Sequence, residues 1–333
     1  MTKIHKLQEI SILRSFSIIV VVAFHVYGMM YDGNHFLGLT KATYRQEYWL
    51  WNQCVFINIA MPMFTFISGY LFYYLLEKNK YTSWKQLLTK KTSRILIPYF
   101  VFGLFMMVTT NSFHPIKLLT GGYWHLWFLP MLFWCFIVSY TLRNIKHYLM
   151  WFIIAGCFAL SLCDKFIPSF MGLHNISKWY CWFILGGGVW NNRLIICDLL
   201  SLFNVWIVTL CIALGLFALY PIEYGEYNIM FLMGQILMIV TLWYITYTVT
   251  QKWNFNLRLI CLIDKYSYGI YIFHNWIAMY LISSTAKRLF SLETLAEKHI
   301  VLFPLVFFIL TLSISLFLSW ALLKTKIGKF LIG

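Results

Sequence analysis

Ten apolar runs follow one another along this chain, and nearly all are long enough to cross a bilayer. They lie at roughly residues 10–31, 51–76, 94–111, 125–142, 147–164, 178–191, 200–220, 228–250, 267–285 and 300–323. A hydrocarbon core about 30 Å thick takes about 20 apolar residues to span as a helix. Lipid offers no partner to backbone N–H and C=O groups, so a spanning segment must bond them internally. The expected fold is therefore all-α: a polytopic integral membrane protein with about ten transmembrane helices. Charged residues make up only 11% of the chain and hydrophobic ones 61%, where a soluble domain carries about 25% charge. Aromatic content, at 20%, fits interfacial belts of Trp and Tyr. No stretch is polar and long enough to form a separate soluble domain, so residues 1–333 are read as one membrane-embedded domain. A net charge of +15 does not point to nucleic acid, because the cations are spread between the apolar runs rather than gathered on one face.

The first run, Glu9 to Met30, holds the most informative pair. Lys3 and Lys6 before it imitate a signal peptide. The run is too long for one, contains a charge and a histidine, and is followed by no A-x-A-like cleavage site, so a retained helix is expected. Arg14 and His25 are eleven residues apart, which is roughly 16 Å along a helix and about three full turns. Both then point the same way, with an arginine at the membrane surface below an imidazole about halfway into the hydrocarbon. An intramembrane ionisable residue is expensive and marks function by default. A histidine bonded to a neighbouring helix is the plain alternative.

Charge asymmetry orients the runs. With a cytoplasmic N-terminus, 18 of the 26 Lys and Arg fall on the inside and 8 on the outside. The positive-inside rule then places both termini in the cytoplasm. The sixth run is short for a full span, and its Gly186-Gly187-Gly188 predicts a kink or a close backbone approach. No internal repeat supports an inverted-repeat transporter.

Further polar features gather at two depths. Within Glu77–Phe100, Trp84, Leu87 and Leu88 predict a short interfacial helix with Lys85 turned away. Lys90, Lys91 and Arg94 then crowd the start of the third run, one turn before Pro98. They suit anionic lipid or a phosphorylated cytosolic ligand about equally well. Deeper in, Ser68 lies roughly 12 Å above the inner end of the second run, and His274 roughly 10 Å above the start of the ninth. His25, Ser68 and His274 can thus share a depth and line a polar cavity. His125 and Trp127, at the outer end of the fourth run, are placed to meet an extracytoplasmic substrate, although the aromatics there are also what a membrane interface looks like. Glu223, Glu226 and the Lys287–His299 loop read as solvated surface, and His5, His35, His114, His147, His174 and His299 receive no role. The eight cysteines show no metal spacing and no metal is expected. Cys54, Cys163 and Cys181 fall toward one face, but nothing in their spacing supports a disulfide.

Taken together these stretches resemble the acyltransferase-3 family of membrane O-acyltransferases. Arg14 and His25 match its R-x10-H motif. FISGY, residues 66–70, resembles its SGF/SGY segment, and KKTSRILIPY, residues 90–99, its basic start of the third helix. HLWFL, residues 125–129, and YSYGIYIFH, residues 266–274, resemble later signatures. The likeness runs in order through nearly the whole chain. One departure is lysine at Lys90 and Lys91, where relatives often have arginine, so phosphate contacts there lack a bidentate fork.

The resemblance implies a mechanism and a setting. Acetyl-CoA or another acyl-CoA, a co-substrate rather than a bound cofactor, would dock from the cytoplasm with its phosphates on Arg14, Lys90, Lys91 and Arg94. His25 would act as general base on a carbohydrate hydroxyl, or carry the acyl group briefly itself. The acceptor would enter past His125 and Trp127, within a cavity shared with Ser68, His274 and Asn275. Burial keeps an imidazole uncharged, as a base requires. No Asp or Glu lies near His25 on its own helix, so another helix must supply the orienting partner, with Asn275, Ser68 and His274 as candidates. The setting implied is the bacterial inner membrane, with lipid, acyl-CoA and a surface glycan or lipid-linked sugar as partners. Some relatives add an extracytoplasmic hydrolase-like domain. With Gly333 ten residues after the last run, none is expected here. Two other classes compete: an exporter or flippase of a polysaccharide or lipid-linked sugar, and a non-catalytic scaffold. Neither would use acyl-CoA.

Overall fold

The structure, a computed structural model, describes residues 7–31, 57–120, 122–161, 170–219, 229–253, 258–288, 299 and 302–333. Cys54, Cys163, Glu223, Glu226, His5, His35 and the start of the second run lie outside them. Every regular element among the described residues is helical. The longer α-helices are, in chain order, α1 (Gln8–Tyr31), α2 (Ile57–Glu77), α3 (Trp84–Lys91), α4 (Ile97–Thr109), α5 (Phe128–Thr141), α6 (His147–Ser161), α7 (Asn175–Asn191), α8 (Arg193–Ser201), α9 (Val205–Leu219), α10 (Ile229–Lys252), α11 (Arg258–Arg288), α12 (Leu302–Leu323) and α13 (Lys326–Ile332).

The described part of each of the ten predicted runs falls on helix. Among the described residues, seven helical stretches are long and apolar enough to cross a membrane, namely 8–29, 59–77, 84–109, 116–141, 193–219, 229–252 and 302–323. The other three runs map to α6, α7 and α11. With 15 and 17 residues, α6 and α7 fall short of a full span. At 31 residues α11 is long enough, but Arg258, Asp264 and Lys265 dilute its apolar character. Those same residues hid its true start. The helix begins at Arg258, not near residue 267, so His274 sits sixteen residues into it rather than seven. The outward faces are apolar, with Phe152, Val208 and Ile309 exposed. In water such surface would be a liability; facing lipid it is the expected solution.

Helix α1 runs through the centre, packed against α2, α10, α11 and α12. Beside it, α2 and α7 make the tightest pair. A Cβ on Gly69 would come 1.8 Å from the Phe183 carbonyl oxygen, and one on Gly186 would come 2.0 Å from that of Phe66. The Gly186–Gly188 run therefore marks a close backbone approach within an unbroken helix, not a kink. Small residues let helices approach in this way, and van der Waals contact replaces the hydrophobic drive that lipid cannot provide.

The expected separate interfacial helix is not separate. Ser83 caps α3 by accepting from the Gln86 N–H at 3.3 Å. From there α3 continues through a π-helical turn, Thr92–Leu96, straight into α4. Only Leu87 of the three predicted apolar contacts is buried; Trp84 and Leu88 are exposed. The π turn precedes Pro98, whose missing N–H leaves the Arg94 carbonyl without its helical donor. The Tyr268 hydroxyl of α11 supplies one, donating to that carbonyl at 2.9 Å. A proline defect thus fastens α4 to the helix that carries His274.

Candidate active site

Three imidazoles meet between α1, α11 and the turn before α5. Ring centroids are 4.8 Å apart for His25 and His274, 4.9 Å for His125 and His274, and 6.1 Å for His25 and His125. A glycine-dependent turn places the third of them. Gly122 adopts φ +93°, where a Cβ would also strike the Trp127 backbone at 2.7 Å. The chain then enters a 3-10 turn, Trp124–Trp127, that carries His125 inward. His125 is therefore buried within the cluster, deeper than an outer-end residue was expected to be.

Hydrogen-bond partners fix the tautomers, because a carbonyl only accepts. His25 Nδ1 lies 2.9 Å from the Val21 carbonyl and 3.3 Å from His274 Nε2. His274 Nδ1 lies 3.0 Å from the Ile270 carbonyl. Each of these Nδ1 atoms carries its proton and donates, so His274 Nε2 accepts from His25. His125 is the opposite tautomer. Its Nε2–H donates to the Ile272 carbonyl at 3.0 Å, and its Nδ1 accepts from the Asn275 amide at 3.1 Å. The Tyr271 hydroxyl also donates to the His125 carbonyl. Both nitrogens of His125 and of His274 are thereby occupied. His25 Nε2 keeps an unpaired lone pair, with no partner among the described residues.

His25 faces a cavity of about 240 Å³. Its walls include His125 and Tyr271, three tryptophans, Trp127, Trp179 and Trp182, and Gln235 from α10. An imidazole with one nitrogen anchored and the other open to a cavity can take a proton from a hydroxyl, or attack a carbonyl carbon.

Ser68 does not join this site. It does not line the cavity, and its hydroxyl donates to the Phe64 carbonyl of its own helix at 2.9 Å. Asn275 is present, but it orients His125 rather than His25. The partner that holds His25 is His274. Gln235, Trp179, Trp182 and Tyr271 were not singled out in the sequence. A lone Gln inside an apolar run is a detectable signal, since intramembrane polar groups are costly.

Arg14 lies toward the other end of α1. Its Nη1 donates to Asp264 Oδ1 at 2.9 Å, while the Ser11 hydroxyl donates to Asp264 Oδ2 at 2.9 Å. The Arg14 side chain is 27% exposed and that of Asp264 5%. Asp264, likewise missed in the sequence, explains why α11 tolerates polar residues at its start. Arg14→Ala removes the guanidinium that pairs with this buried carboxylate. Breaking a fully buried pair costs about 3–5 kcal/mol. With Arg14 partly exposed we expect about 1–3 kcal/mol, allowing for solvent screening. The double variant Arg14→Ala/Asp264→Ala is expected to recover part of that loss. Thermal denaturation in detergent checks it, and a double variant no more stable than Arg14→Ala would contradict the pairing.

Of the remaining cations, Lys90 and Lys91 meet at the Tyr81 ring. Lys91 Nζ lies 3.2 Å from the Phe136 ring centroid, 5.3 Å from that of Tyr81 and 5.6 Å from that of Phe72. It is enclosed by aromatic faces, which attract a cation through the ring quadrupole. Lys90 Nζ donates to the Lys80 carbonyl at 3.4 Å and sits 5.6 Å over Tyr81. Arg94 is exposed. Cys181 is a buried free thiol.

The sequence model of the acyltransferase-3 family, described as an acyltransferase domain, matches residues 7–324. The chain belongs to the acyltransferase-3 family. Membership and the apolar helices together make it a multi-pass membrane acyltransferase. No curated protein and no solved structure matches the chain. Within this acyltransferase, the matched region covers the R-x10-H pair, the imidazole cluster and the basic stretch alike.

Proposed function

We propose that this acyltransferase moves an acyl group, in the first instance acetyl, from cytosolic acyl-CoA to a hydroxyl of a cell-envelope carbohydrate. The observation that carries the reading is the open Nε2 of His25, facing a cavity from an otherwise fully bonded imidazole cluster. His25 takes the proton of the acceptor hydroxyl, or accepts the acyl group before passing it on. His274 holds its ring in the productive tautomer, and Asn275 does the same for His125. Arg14, Lys90, Lys91 and Arg94 supply positive charge for the CoA phosphates. Arg94 is the most open of them, and Lys91 contributes from within its aromatic cage. On this reading the chain sits in a bacterial inner membrane with about ten spans and both termini cytoplasmic. The charge asymmetry of its loops supports that orientation.

The test uses purified protein in nanodiscs with radiolabelled acetyl-CoA and succinyl-CoA. Saturable binding, with thioester turnover or label transfer, is the expected result. A folded protein that binds neither donor sinks the acyl-CoA reading and puts an exporter of a polysaccharide or lipid-linked sugar in its place.

A further inference from the structure

One polar side chain in the cavity has no partner. Gln235 is 2% exposed, yet its Oε1 is buried without a hydrogen bond. Its amide nitrogen likewise has no partner among the described residues. An unpaired polar group in a dry interior is costly, and native structures seldom retain one without a use. Gln235 projects from α10 into the cavity that holds His25. The described walls contain no Lys, Arg, Asp or Glu, so they offer nothing to a phosphate, a carboxylate or an ammonium group. They do offer aromatic surface: Trp127 and Trp179 have ring centroids 5.4 Å apart at 42°, and Trp182 lines the same space. At about 240 Å³ the cavity falls below the roughly 300–1,000 Å³ of drug-sized sites.

We propose that Gln235 is the residue that positions the acceptor, and that the acceptor group it holds is one neutral sugar ring. The carboxamide accepts from one hydroxyl through Oε1 and donates to a neighbouring hydroxyl through the amide nitrogen. The tryptophans cover the faces of the ring, and a third hydroxyl is left for His25 Nε2. This rests on the carbohydrate-acceptor reading above and adds to it which side chain does the recognising. A carboxamide matches a pair of adjacent hydroxyls, whereas a simple alcohol satisfies only half of it. Sites built around such bonds strongly reject analogues that lack the group.

The test begins without an acyl donor. Methyl glycosides of glucose, galactose, mannose and rhamnose are titrated against nanodisc-embedded protein by saturation-transfer NMR. The parent is compared with Gln235→Met, which keeps the length and removes the hydrogen bonds. At least one glycoside is expected to bind the parent and to lose tenfold or more in affinity in Gln235→Met. Because the substitution removes an orphaned amide, the variant's Tm is expected to stay level or rise. A residue that only supported the fold would lower it. The second arm repeats the titration with monodeoxy analogues. Deleting one hydroxyl should weaken binding about tenfold in the parent and leave Gln235→Met unchanged, as expected when both changes remove one contact. Equal glycoside binding by parent and variant overturns the role of Gln235 and leaves the carbohydrate reading standing. No glycoside binding by the parent overturns both. A deoxy penalty that is the same in both proteins assigns the Gln235 amide to water alone and also overturns the proposal.

Discussion

His25→Ala is expected to lower acyl transfer by about 10²–10⁴-fold, the usual contribution of a positioned general base, while leaving acyl-CoA binding within a few-fold of the parent. The separation follows from where the side chain sits. Arg14 is eleven residues away on the same helix, roughly 16 Å down its axis, so removing the imidazole does not disturb the charge at the other end. The loss should be kinetic and not structural. Among the described residues His25 Nε2 makes no hydrogen bond, and only Nδ1 ties the ring to Val21 and His274. His274→Ala removes the acceptor of that bond but leaves Nε2 and the Val21 contact, so its effect should be smaller. Steady-state turnover of acetyl-CoA with equilibrium binding of the same ligand separates the two quantities. A His25→Ala protein with parental transfer rates would remove the imidazole from the chemistry altogether.

The largest stability effect is expected at the α2–α7 contact. Gly186→Ala adds one methyl group, but its Cβ would stand 2.0 Å from the Phe66 carbonyl oxygen and 2.7 Å from the Tyr70 amide nitrogen. Neither is a flexible side-chain tip that can swing aside. The two helices must part along their whole length, and Gly69 against the Phe183 carbonyl forbids a simple slide. Overpacking of this kind costs typically 1–3 kcal/mol, occasionally more; with backbone on both sides we expect about 3 kcal/mol or above. Gly156→Ala is the internal control, since a Cβ there meets nothing within 4 Å. Its helix should if anything gain from the better propensity of alanine. Thermal unfolding in one detergent compares them directly, and equal Tm values for the two variants would refute the close approach.

The spacing of Arg14 and His25 was legible because it lies within one helix, where periodicity alone fixes direction and rise. The meeting of His25 with His274 was legible only as a shared depth. That estimate rested on a helix start nine residues too late, and the contact with His125 was not foreseen. What sequence could not supply were partners brought by other elements. Asp264 lay in a stretch too polar to count as part of a span, yet α11 keeps it because Ser11 and Arg14 satisfy both oxygens. The cage around Lys91 draws one ring each from α2, α5 and the loop before α3. No local pattern announces such a convergence. Ser68 failed for the opposite reason: a hydroxyl in a helix can always bond the carbonyl one turn back, and depth cannot show that it has done so.

The π-helical turn has a consequence for how this acyltransferase can vary. Such a turn holds one residue more than the α-helical ladder, so everything before it is offset by one helical step, about 100°. Lys91 lies against the Phe136 ring of α5, beyond the turn, with that offset in place. A single-residue deletion within 92–96 would restore an ordinary helix, leave the apolar run intact, and swing Lys90 and Lys91 to another face. The reading frame of the helix, and not only the identity of its residues, is what selection must hold constant there. An alignment that treats a one-residue gap in this turn as neutral would pair lysines that point in different directions.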